Sequence, residues 1–113
     1  MSGPRVGRHR LVLENAERAA DGIGGQATVW RALGAVWADL RASSAREQRG
    51  EVGAVSTVSW AITLRAAPTG DPRRPRPGQR LRMGTRLFRI EAVAEADASG
   101  RWLTCHASEE AGA

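Results

Sequence analysis

A small, mainly β domain, a six-stranded barrel or sandwich with long loops and at most one short helix, is the fold this sequence predicts. Three observations predict it. Six stretches alternate apolar and polar residues with the period of two that a pleated strand requires, and glycine, proline and aspartate clusters separate them. The chain has 113 residues, enough for one domain that buries roughly two thirds of its unfolded surface, so one modest core is expected and a second is not. A sheet with one apolar face must close on itself or meet another sheet, which gives the barrel or the sandwich.

Residues 1–7 carry Ser2, Gly3, Pro4 and Gly7 and too little apolar surface to offset the entropy of ordering, so they read as a flexible arm before a domain spanning 8–108. The first strand is expected over His9 to Glu17, where Leu11 and Leu13 alternate with Arg10, Val12 and Glu14. A loop through Asp21, Gly22, Gly24 and Gly25 follows. In Leu33 to Arg41, residues Val36, Ala38 and Leu40 share a face opposite Trp37, Asp39 and Arg41, so a strand is favoured over an alanine-rich helix. Ser43 to Gly53 is polar and punctuated by glycine. Its Ser44-Ala45-Arg46-Glu47 run matches a helix capping box and predicts one helical turn within a long connection.

The clearest strand is Val55 to Arg65, with Val58, Trp60, Ile62 and Leu64 on one face. From Asp71 to Gly78 three prolines and the cluster Arg73, Arg74 and Arg76 form an extended loop that cannot enter a sheet ladder. Leu81 and Met83, then Phe88, Ile90 and Ala92, form a hairpin around Gly84. A turn at Asp97-Ala98-Ser99-Gly100 leads to a last strand over Trp102 to His106, completing a three-strand meander. Residues 109–113 read as a flexible tail.

All 17 basic residues are arginine, and the net charge of +5 is scattered among acids rather than gathered on one stretch, so the high pI does not by itself predict nucleic-acid binding. The arginine-only usage fits a GC-rich coding sequence. A lone cysteine, Cys105, excludes an intrachain disulfide and suits a reducing compartment or stabilisation by assembly. The basic start, Met1 to Arg10, precedes only three apolar residues, so neither a signal peptide nor a membrane partner is expected.

Catalytic, cofactor and metal chemistry find no constellation. His9 and His106 stand far apart with no second cysteine to complete a metal set. Cys105 and His106 are neighbours on one strand and point to opposite faces, so the pair reads as a core thiol beside a surface histidine. Glu109 and Glu110 read as solvated charge in the tail. Gly22-Ile23-Gly24-Gly25 lacks the lysine and serine or threonine of a phosphate loop and reads as a turn. Tyrosine is absent and Phe88 is the one phenylalanine, so the four tryptophans carry more weight. Trp60 belongs in the core by its strand position. Trp30, Trp37 and Trp102 are candidate interface aromatics, with a sheet covered on both sides within one subunit as the alternative.

The ordered run Gly24-Gly25, Trp30, Val36-Trp37-Ala38-Asp39-Leu40, Ile62-Thr63-Leu64-Arg65, and Arg86-Leu87-Phe88-Arg89-Ile90 with Val93 resembles the head-tail joining, head-closure or stopper proteins of long-tailed phages. The match runs from Arg8 to Ser108. It departs at Ala66, where the family often has an aromatic, and in the proline-rich loop before the hairpin. The resemblance implies a β-barrel virion subunit that forms a homo-oligomeric ring of six or twelve copies, joins the portal or adaptor to the tail terminator or tail tube, and helps retain packaged double-stranded DNA. A gene transfer agent would suit the composition. The expected inter-subunit or channel loop carries Arg73, Arg74 and Arg76, with Arg46 and Arg49 in the earlier connection. A free-standing barrel binding single-stranded nucleic acid is the alternative. It needs aromatic platforms beside arginines, for which Trp37 and Trp102 are the candidates.

Overall fold

The computed structural model describes the backbone of residues 7–50 and 53–111 and the side chains of residues 7–43 and 56–110. Six antiparallel strands, β1 (His9–Ala20), β2 (Gln26–Gly50), β3 (Gly53–Arg65), β4 (Arg80–Met83), β5 (Arg86–Glu95) and β6 (Trp102–Ala111), close into a barrel in the order β1-β2-β3-β6-β5-β4. Closure comes from three pairs between β1 and β4, Val12 with Arg82, Leu13 with Leu81 and Glu14 with Arg80. No helix occurs among the described residues.

The alternating positions meet inside. Leu11, Leu13, Ala38, Ile62, Leu64, Leu81, Phe88, Ile90, Leu103, Cys105 and Ala107 form one buried cluster, with Val36, Leu40 and Trp60 packed against it. Every strand contributes, so no pair of strands has a core of its own. Cys105 is fully buried and its thiol is pushed up to about 12 by desolvation, which keeps it protonated and inert.

The structure lengthens the expected strands, β2 most of all. β2 begins seven residues before Leu33. The whole Ser43 to Gly50 stretch is strand paired to β3 rather than a connection with a helical turn, because cross-strand partners for Ala45 to Arg49 override a short capping signal. β6 likewise continues past His106 to Ala111, opposite Ser56. One inward assignment also changes. A bulge between Ile90 and Ala92 turns Ala92 outward and brings Val93 onto the core instead.

β2 is therefore longer than the barrel wall is tall. Its first residues pair with the end of β1 in a two-stranded ribbon, Asn15 to Ala20 against Gln26 to Arg31, and its last residues pair with the start of β3. The two ribbon tips lie at opposite ends of β2, and the molecule extends to 52 × 32 × 22 Å.

Candidate assembly surfaces

The first ribbon ends in a rigid turn. Asp21 Oδ1 accepts hydrogen bonds from the backbone N–H of Ile23 at 2.9 Å and of Gly25 at 3.0 Å, and the Asp21 N–H donates to the Gly25 carbonyl at 3.1 Å. Those backbone donors hold the Asp21 carboxyl below its ordinary range. The turn presents Ile23, 89% exposed, with Val29 at 48% on the ribbon behind it. An apolar side chain fixed in the open by a preorganised turn loses little entropy on docking.

At the root of that ribbon, Glu14 sits on the outer wall yet is only 6% exposed. Arg80 Nε donates to its Oε1 at 2.6 Å and Arg82 Nε to its Oε2 at 3.0 Å. Burial pushes the Glu14 carboxyl up, but the hydrogen bonds and charge of the two arginines outweigh it and hold it below the ordinary value. The Arg80 guanidinium lies 4.1 Å from the centre of the Trp30 ring, so Trp30 is a half-buried partner of its own chain.

A second tryptophan–arginine–glutamate cluster plugs the barrel from inside. Arg86 Nε and Nη2 grip the two Glu109 oxygens at 2.8 and 2.9 Å, and Trp60 Nε1 donates to Glu109 Oε1 at 3.0 Å. Hydrogen bonding lowers Glu109 and raises Arg86. The Trp60 ring meets Phe88 edge to face at 5.9 Å. Glu109 is thus an integral inward residue and not solvated tail charge. The signal was in the sequence: it shares the parity of Leu103, Cys105 and Ala107, as Arg86 shares that of Phe88 and Ile90.

The proline-rich loop is held residue by residue. Gln79, 3% exposed, bridges it to the barrel: its Oε1 accepts from Arg76 N at 2.8 Å and its Nε2 donates to Asn15 Oδ1 at 3.1 Å. Arg74 Nη1 donates to the Ala67 carbonyl at 2.7 Å and is committed inside its own chain. Arg73 pairs with Asp71 only at 3.5 Å and lies across Gly34, where a side chain would meet the arginine's Cγ at 3.2 Å. Gly34 has φ of +151° at the β2 bulge, a conformation that favours glycine, and a side chain there would also press on Arg73. Arg73 and Arg76 therefore project from the loop, while Arg74 does not. Arg46 and Arg49 lie on β2 opposite Thr57 and Ala54, and their side chains are outside the described residues.

On the outer wall of β1, β2 and β3, Trp37 is 58% exposed. Arg10 is its cross-strand partner on β1, and Arg65 lies beside it one residue beyond the Ala38–Leu64 pair. Arg65 in turn opposes Trp102, with its guanidinium 6.0 Å from that ring. Sequence reasoning gave the tryptophans and missed this alternation with arginine, which exists only across strands. On the opposite wall, Leu87 (41% exposed), Arg89 and Glu91 of β5 line a groove of about 820 Å³ with Trp30, Ser108 and Glu110. No three metal-ligating side chains come together among the described residues.

These features match a known family over almost the whole chain. The model of the phage head completion protein family matches residues 4–110. A solved chain from the virion of a native gene transfer agent particle is 51% identical, covers 98% of this chain and 100% of that one, and superposes with a TM-score of 0.85. No curated protein matches. The chain belongs to the phage head completion protein family, a family of structural virion subunits.

Proposed function

We propose that copies of this chain form a ring that joins the DNA-filled head, at its portal and adaptor, to the terminator or tube of the tail, and that the ring helps retain packaged double-stranded DNA. The observation that carries this reading is β2. Its 25 residues run out of the barrel at both ends, and the ribbon it makes with β1 presents Ile23 and Val29 to solvent. A two-stranded ribbon without a core is marginal alone, so this is the shape of a subunit completed by its neighbours. The 51% identical chain in a native gene transfer agent virion supports the same reading.

Arg73 and Arg76 serve best as contacts to carboxylates on an adjacent subunit, which a projecting guanidinium grips in two-pronged fashion. Removing them should weaken assembly. Rings that stay intact but leak DNA would instead assign the loop to the channel, where phosphate contact is sequence-blind. The single-stranded nucleic-acid reading keeps its two candidate platforms, Trp37 exposed beside Arg10 and Trp102 beside Arg65, and it is the match to the head completion family over residues 4–110 that favours the virion subunit.

The test is negative-stain electron microscopy of particles from the producing strain with and without this gene. Heads separated from tails, or emptied heads, in the deletion are the expected result. Normal tailed particles would overturn the joining role.

A further inference from the structure

We propose that neighbouring copies meet wall to wall: the Trp37 wall of one copy docks on the β5 groove of the next, with a second copy of this chain as the occupant. The inference rests on the ring reading above and names the two faces that would build it.

Barrel order supplies the geometry. In the closed sequence β1-β2-β3-β6-β5-β4, β2 and β5 are three strands apart in either direction, so Trp37 and Leu87 stand on opposite sides of the barrel. A closed ring of identical subunits needs two different faces on opposing sides, because each copy must present one face to each neighbour. The most exposed large apolar residues of the barrel wall occupy those two sides, Trp37 at 58% and Leu87 at 41%.

Charge distinguishes the faces and matches them. Around Trp37 the exposed residues Arg10, Arg41 and Arg65 face outward, with Asp39 the acid between them. Around Leu87 the exposed acids Glu91 and Glu110 border the groove, and the nearby Arg80 is already committed to Glu14. Three cations on one wall thus oppose two carboxylates on the other, with Arg89 of the groove able to meet Asp39. An indole flanked by guanidiniums is the composition that interface centres favour. Docking two Trp37 walls together would instead set arginine against arginine, which disfavours a two-fold dimer.

The experiment uses introduced thiols, because the native Cys105 is buried and protonated. A particle-producing strain carries Ala35→Cys, on the Trp37 wall, together with Arg89→Cys, in the groove. Those two sites lie across the barrel from each other and cannot bridge within one chain. Oxidation should give a ladder of disulfide-linked multimers from the double variant and none from either single variant. Tailed particles that contain the double variant and give no ladder would overturn the docking while leaving the joining role intact, as would self-linking of either single variant. Loss of the joining role would appear separately, as tailed particles that lack the chain. Should the double variant fail to yield particles, purified Ala35→Cys and Arg89→Cys chains are mixed and oxidised: a mixed dimer supports the docking, and its absence overturns it. Charge exchange gives an independent readout. Glu91→Arg with Glu110→Arg should weaken self-association of the full chain at least tenfold, and adding Arg10→Glu and Arg65→Glu to the same chain should restore it. Failure of the second pair to restore association would contradict the pairing.

Discussion

The two tryptophan–arginine–glutamate clusters use the same three residue types for different ends. Around Glu109 the cluster points inward and closes the barrel core, with Trp60 edge-on to Phe88. Around Glu14 it lies on the outer wall and braces the ribbon that leaves the barrel, with Trp30 under Arg80. An outward position by strand parity therefore does not decide whether a tryptophan is available. Trp30 is on an outward position and is covered by its own chain, whereas Trp37, also outward, stays open.

The sharpest break in that comparison comes from the core the inner cluster caps. Phe88→Ala removes the fully buried ring that Trp60 and Arg86 both contact, and should destabilise the monomer by about 3–5 kcal/mol in denaturant unfolding. Next, Glu14→Ala leaves two arginines without their shared carboxylate. Because Arg82 is 40% exposed and partly solvated, the loss should be roughly 2–3 kcal/mol, below the figure for a wholly buried pair. Glu109→Ala should lose roughly 1–2 kcal/mol, since Arg86 is 41% exposed and water can replace part of the grip.

Acid titration compares both clusters at once. Glu14 and Glu109 are each lowered in the folded state, so their contribution is fully present above the unfolded carboxylate value of about 4.3 and is lost as pH falls through the lower folded values. Unfolding free energy measured against pH should stay flat toward neutrality from there and decline below it. Glu14→Gln combined with Glu109→Gln should flatten that decline. The smallest effect on the monomer is expected from Trp37→Ala, within about 0.5 kcal/mol, because the indole is 58% exposed on the outer wall and outside the core. A large loss of monomer stability would mean that Trp37 belongs to the fold rather than to an interface.

Much of the barrel was legible in the sequence because its strands alternate cleanly. Val58, Trp60, Ile62 and Leu64 announce β3, and Leu81 through Ile90 announce the hairpin that β6 then joins. The ribbons were not legible. Gln26 to Leu33 and Ser43 to Gly50 carry no alternating apolar face in the sequence, and their strand geometry comes from partners on β1 and β3. The bulges that lift Leu33, Ser43 and Glu91 out of register also leave no signature in composition. Among the candidate arginines, Arg73, Arg74 and Arg76 cluster in the sequence, but only the fold separates Arg74, tied to the Ala67 carbonyl, from the two that project.

The most direct test of the joining role is a cryo-electron microscopy reconstruction of the head-tail junction in intact particles. The expected result is a ring of this six-stranded barrel between the portal complex and the tail, with the β1–β2 ribbon tips seated against neighbouring subunits. A junction built without this chain, with its density elsewhere in the particle or absent, would contradict it.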